Sequence, residues 1–142
     1  MEAGSLRLLP AFVKEEKCMV KMMIVMRRDL HMRKGKIAAQ AGHACVEALL
    51  RVQEKAHSGD REREARLKNW LDAGEAKVCV YLDGEEALLE LHESLEAHGW
   101  ISALIQDAGH TEFHGEPTFT CLGIEPLESE IVDAYTGELP LY

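Results

Sequence analysis

Dense apolar runs alternate with helical stripes along this chain, and the alternation sets the fold. Met22-Met23-Ile24-Val25-Met26 is apolar at every position, which predicts a strand over Lys21–Arg27 covered on both faces, hence a central one. Polar residues follow to Arg33. From Ile37 the apolar positions recur at 37, 41, 44, 45, 48, 49 and 52, the spacing of one helix face, predicting a helix from Arg33 or Lys34 to about Lys55. Ala65, Leu67, Trp70 and Leu71 mark a second helix over Asp60–Asp72, with Asp60 as its cap and Gly74 near its end. Trp70 reads as a core anchor beneath it. Val78–Leu82 is a β-branched second strand. Asp83 is placed to cap a third helix, with Glu86 in capping-box position, Leu88, Leu91 and Leu95 on its buried face and Gly99 as its stop. Ile101–Gln106 and Thr118–Gly123 complete the strands, and a short helical piece lies near Glu128–Ala134.

The order β-α-α-β-α-β-β predicts an α/β fold: a small four-stranded mixed sheet with helices on both faces, a three-layer α/β/α single domain. The last two strands are joined too closely for a crossover and should be antiparallel. Residues 1–20 show no clear period and read as a loosely attached extension before a domain over 21–142.

The polar side of the first helix is organised too. Lys36, Gln40, His43 and Glu47 fall within roughly 60° of one another at about 100° per residue. Taken alone, this stripe also suits a solvated helix face. A second polar cluster changes its weight. Asp107-Ala108-Gly109-His110-Thr111 ends the third strand, and Thr118-Phe119-Thr120 opens the fourth. Thr118 and Thr120, two apart, should share one face, with Phe119 and Cys121 on the other. Ligand sites of α/β sheets gather at strand C-terminal ends, so Lys36 and Asp107 should converge. A carboxylate that orients or deprotonates water, a lysine that offsets an oxyanion or binds phosphate, and hydroxyls that position the attack form a minimal hydrolytic set. Asp107 and Thr111 also suit a turn held by its own side chains.

Composition narrows the setting. The chain has 142 residues and is 46% apolar, enough for one domain with a real core. No apolar run approaches a membrane span of about 18 residues, and the N-terminus resembles neither a secretory nor a transit peptide, so a cytoplasmic protein is expected. Cys18, Cys45, Cys79 and Cys121 lack metal-ligand or disulfide spacing and read as small hydrophobes in a reducing compartment. His92 and His98 read as surface residues. Net charge is −9, yet all 16 Lys and Arg precede residue 78. Residues 21–36 alone hold six basic residues against Asp29, a local basic patch beside the first helix.

These residues resemble a known family. Lys21–Leu30, then Gly35-Lys36-x-Ala38-Ala39-Gln40-x-x-His43-Ala44, Trp70 with Gly74, Lys77-Val78, Asp107-Ala108-Gly109-x-Thr111, Thr118-x-Thr120 and Tyr135-Thr136-Gly137 look like the type 2 peptidyl-tRNA hydrolases, in order from about Lys21 to Leu141. The resemblance implies an esterase that frees tRNA from a peptidyl (N-blocked aminoacyl) group, with peptidyl-tRNA as its partner, no metal or other cofactor, no membrane, and a possible homodimer. It implies Lys36, Asp107, Thr111 and Thr120 as catalytic residues and Gln40 and His43 as pocket lining. Arg27, Arg28 and Lys34 of the basic patch would meet acceptor-stem phosphates. The segment between Thr111 and Thr120 is one residue longer than the family pattern. Ile124-Glu125-Pro126 replaces Ile-Gly-Pro, and a carboxylate there would repel phosphate if it faced the site. Two other classes compete: a non-catalytic module binding tRNA or protein, and an esterase for another acylated small molecule, whose rate would depend only weakly on salt.

Overall fold

The computed structural model describes residues 19–110 and 112–142; Thr111, Cys18 and all but the last two residues of the expected extension lie outside them. Five strands and four helices follow in the order β1 (Val20–Arg27), α1 (Lys34–His57), α2 (Arg61–Asp72), β2 (Lys77–Leu82), α3 (Glu85–Ala97), β3 (Ser102–Asp107), β4 (Thr118–Ile124), β5 (Leu127–Glu128) and α4 (Ser129–Thr136). The sheet runs β2-β1-β4-β3, with β5 paired to the start of β1. β1 and β2 are parallel, while β4 is antiparallel to both β1 and β3. The mixed sheet and the antiparallel last pair match the expectation. β5 was not foreseen, because two residues carry no period.

β1 is central, and its uninterrupted apolar run serves both faces. Met22 packs with Ala48 and Val52 of α1 and Leu67 and Trp70 of α2. Met23 and Val25 face Leu88 and Leu95 of α3 and Val132 of α4. Trp70 is buried, and its indole N–H donates to the Ala76 carbonyl at 2.8 Å. Asp60 caps α2 by accepting from Arg63 N at 3.1 Å.

Three expectations need correction. The cap of α3 is Gly84 at φ 99°, with no side-chain cap; a backbone in that region favours glycine and leaves Asp83 one position too early. Asp29 reaches across from the end of β1 instead and accepts from Gly84 N at 2.8 Å. His92 is half-buried, its Nδ1 2.8 Å from Ser102 Oγ. Cys121 does not share the face opposite Thr120, because the β3–β4 register slips between Ile105 and Gln106: Cys121 pairs with Ile105 and Phe119 with Gln106. Thr120 is therefore the extra residue of a bulge, and both it and Cys121 turn toward α1.

Glu125 does not face the polar cluster at Asp107. It is buried, accepts from Arg63 Nε and Nη2 at 2.9 Å each, and accepts from Ile101 N at 2.8 Å. Ile101 precedes β3 at the end opposite Asp107, about 20 Å away at strand rise. Its carboxylate joins α2 to the sheet.

Candidate active site

Lys36 and Asp107 meet, as the strand-end argument required. The helix places Lys36 and Gln40 one turn apart on the same side, and β3 ends with Asp107 pointing at them. Lys36 Nζ lies 2.7 Å from Asp107 Oδ1, Gln40 Nε2 donates to the same oxygen at 3.3 Å, and Gly109 N donates to Oδ2 at 2.8 Å. The hydrogen bond from Lys36, helped by the Gly109 N–H, holds the Asp107 carboxyl below its ordinary range despite partial burial. It is ionised at neutral pH. Lys36 also lies 5.7 Å above the Phe113 ring.

Beneath this pair is a buried layer. Gln40 is 2% exposed and Thr120 is fully buried. Thr120 Oγ1 donates to Gln40 Oε1, leaving the Gln40 amide N–H for Asp107. The bulge makes this possible, since regular alternation would not turn both Thr120 and Cys121 to α1. The Gln40 carbonyl accepts from Cys121 Sγ at 3.4 Å. Close approach of α1 to β4 depends on Gly123, where a Cβ would come within 2.6 Å of the Ala44 carbonyl oxygen.

The loop after β3 is similarly constrained. Gly109 has φ 88°, and a Cβ there would meet the Glu116 backbone at 2.3 Å. Its carbonyl accepts from Gly115 N at 2.8 Å, which keeps its own N–H aimed at Asp107. Thr118 is apart from the cluster, with its hydroxyl donating to the Glu116 carbonyl at 2.9 Å.

From Asp107 a groove of about 440 Å³ runs between α1 and β3, lined on the helix by Gln40, His43, Val46, Glu47 and Arg51. His43 is exposed at its edge. The sequence reading passed over Val46 and the Arg51–Glu47 pair (3.0 Å). Their positions, three and four residues on from His43 and Glu47, were the available signal.

The basic residues divide. Arg28 and Lys34 are exposed, Arg28 stacking over the Tyr81 ring at 4.4 Å. Arg27 is 8% exposed. Its guanidinium donates to both Asp29 oxygens, at 3.2 and 2.7 Å, and to the Phe119 carbonyl at 3.0 Å. It braces β1 against β4 beside the bulge. Among the described residues, no group of three or more His, Cys, Asp or Glu side chains is arranged to hold a metal ion, and no helix is long and apolar enough to cross a membrane.

The family model for peptidyl-tRNA hydrolase PTH2 matches residues 20–142. The peptidyl-tRNA hydrolase of Methanopyrus kandleri is 46% identical over 124 residues, covering 87% of this chain and 98% of that protein. That of Methanocaldococcus jannaschii is 37% identical over 123 residues, 86% and 99% of the two chains. The mitochondrial peptidyl-tRNA hydrolase 2 of Bos taurus is 41% identical over 122 residues, 86% of this chain and 64% of its own. With the family model spanning the whole sheet and all four helices, the chain belongs to the type 2 peptidyl-tRNA hydrolases.

Proposed function

We propose that the chain hydrolyses the ester joining a peptidyl, or N-blocked aminoacyl, group to the 3′ end of tRNA, releasing free tRNA and peptide. Family membership supports this, and one local observation carries it: an ionised Asp107, held from three sides by Lys36, Gln40 and the Gly109 N–H, stands at the head of a groove.

In the reaction a water oxygen bonds to the ester carbonyl carbon while the carbonyl electron pair moves onto its oxygen. Collapse of the tetrahedral species breaks the bond to the 3′ oxygen, which leaves with the proton surrendered by the water. Asp107 accepts a hydrogen bond from the attacking water and orients it. A carboxylate held below the usual range is a weak base, so orientation is its assigned role. The Lys36 ammonium offsets the charge that develops on the carbonyl oxygen. Thr120, fully buried under Gln40, acts through Gln40 as a positioning residue, and Thr111 retains the hydroxyl role that the resemblance gives it. His43 lines the pocket edge.

Arg28 and Lys34 meet the acceptor-stem phosphates, with Arg27 fixing the strand ends behind them. Exposure of the first two and the internal pairing of the third support that division. The burial of Glu125 against Arg63 removes the phosphate repulsion that favoured a non-catalytic module. Self-association as a homodimer and a cytoplasmic site of action belong to the same reading, the latter in keeping with the free thiols of Cys45, Cys79 and Cys121.

The test is deacylation of N-acetyl-aminoacyl-tRNA in water enriched in heavy oxygen. One label atom should enter the released carboxylate and none the tRNA. Label in the tRNA 3′ end, or no deacylation, would refute the reaction as written.

A further inference from the structure

The sheet has two edges, and the fold treats them differently. The β2 edge is covered by the chain's own end: Val80 bridges Leu141, Tyr81 N donates to the Pro140 carbonyl at 3.0 Å, and Tyr142 N donates to the Cys79 carbonyl at 3.1 Å. On the other side, no strand among the described residues pairs with the outer edge of β3. An uncovered edge is a template for another strand, and this one borders the groove that begins at Asp107.

Two hydrogen bonds settle which groups face outward. The Ile101 carbonyl accepts from Glu125 N on the β4 side, whereas the Ser102 carbonyl accepts from the Arg51 guanidinium, outside the sheet, at 3.4 Å. Antiparallel alternation then turns the N–H and C=O of Leu104 and Gln106 to the free edge. The extra residue of the bulge is Thr120 on β4, so the alternation of β3 continues through it. Above the edge, α1 presents His43 and the exposed Val46, with Leu50 exposed one turn on. Arg51 closes the far end by taking the Ser102 carbonyl.

We infer that the peptidyl part of the substrate binds in this groove as an added strand on the free edge of β3, recognised through its main chain. The inference rests on the proposed reaction, because that chemistry fixes direction. The ester carbonyl is the C-terminal end of the peptide and must lie at Asp107; the peptide's N-terminal part then extends toward Ser102. It therefore runs parallel to β3. From Asp107 to Ser102 the edge offers about 17 Å, room for about four to five residues in extended form. Main-chain bonding makes recognition independent of sequence, with Val46 and Leu50 adding apolar contact that tolerates many side chains. This suits a hydrolase that meets peptides of arbitrary sequence.

Single-turnover and steady-state rates of wild-type enzyme on four substrates test this: tRNA carrying N-acetyl-alanine, N-acetyl-tetraalanine, and N-acetyl-tetraalanine with an N-methyl group at one or the other of two successive internal amides. The tetrapeptidyl substrate should show kcat/KM higher by about tenfold, the equivalent of one or two net backbone hydrogen bonds. N-methylation at one of the two amides should abolish that advantage and at the other leave most of it, since a strand bonds its neighbour through alternate residues. Equal rates for the short and long substrates, or equal tolerance of both methyl positions, would overturn the added strand while leaving the hydrolase reading intact. Absence of hydrolysis on every substrate would overturn that reading and this inference with it. Amide exchange without substrate covers the rival occupant. Protection of Leu104 and Gln106 that grows with protein concentration would mean that a second copy takes the edge, and would also overturn the proposal.

Discussion

Replacing Thr120 by valine removes one hydroxyl from a fully buried position while nearly conserving volume. The hydroxyl donates to Gln40 Oε1, and Gln40 is itself 2% exposed. The amide oxygen is then left without its donor in a site closed to water, a cost of about 1–3 kcal/mol. Part of that cost is structural and should appear as a fall in melting temperature of several degrees. The remainder appears in the chemistry. Gln40 Nε2 reaches Asp107 Oδ1 only while its oxygen is anchored below. A Gln40 that rotates to seek another donor releases one of the three groups that hold the carboxylate. If half or more of the cost is felt in the transition state, kcat falls between about 2-fold and 140-fold, each tenfold being about 1.4 kcal/mol. KM should stay within about twofold, because the hydroxyl touches no substrate. The assay is steady-state deacylation of N-acetyl-aminoacyl-tRNA below the melting transition, and Thr120→Ser should restore most of kcat. A variant destabilised as expected but with kcat unchanged would show that Thr120 only packs. A rise in KM with kcat intact would place it against the substrate and refute the buried-layer argument.

Other expectations follow from the same geometry. Glu125→Ala leaves Arg63 and the Ile101 N–H without their shared partner, costing about 3 kcal/mol and roughly 10 °C in melting temperature; kcat measured on folded enzyme should not change, and a loss of kcat would contradict the distance from Asp107. The folded pKa of Asp107 lies below its unfolded value, so the stability it contributes is complete above pH of about 4 and is lost as pH falls through the folded pKa. The pH–rate profile should accordingly show no acidic limb from this group between pH 5 and 8, and a limb there that disappears in Asp107→Asn would refute its assignment as a low-pKa carboxylate. Neutralising Arg28 and Lys34 together should raise KM and flatten the dependence of log KM on log salt by about one unit for each phosphate they neutralise; an unchanged slope would move the tRNA elsewhere on the surface.

The sequence made the layers of this fold readable because its periods are long. The unbroken run Met22–Met26 needed cover on both faces, and β1 lies between two pairs of helices. The convergence of Lys36 and Asp107 was readable for a topological reason, since Asp107 ends β3 and the loop after the parallel-running β1 delivers Lys36 to the same end of the sheet. What stayed hidden depends on pairings made across the chain. The bulge at Thr120 exists only in the register of β4 against β3, and nothing in Thr118-Phe119-Thr120 announces it. Arg27 belongs to a basic run in sequence, but its neighbour in space is the Phe119 carbonyl, 92 residues away. Glu125 stands out as a stray carboxylate until Arg63, 62 residues earlier, is beside it. Which strand is left uncovered was equally out of reach, because that is decided by where the last three residues dock.

The proposed hydrolysis of a tRNA ester depends on Asp107 at the head of the groove. Single-turnover deacylation of N-acetyl-aminoacyl-tRNA by wild type and by Asp107→Ala, at low and at moderate salt, tests it most directly. The wild type should release free tRNA at a rate that slows as salt rises, and the folded variant should lose about 100-fold or more. Equal rates in the two proteins, or no release by either with tRNA binding intact, would contradict it.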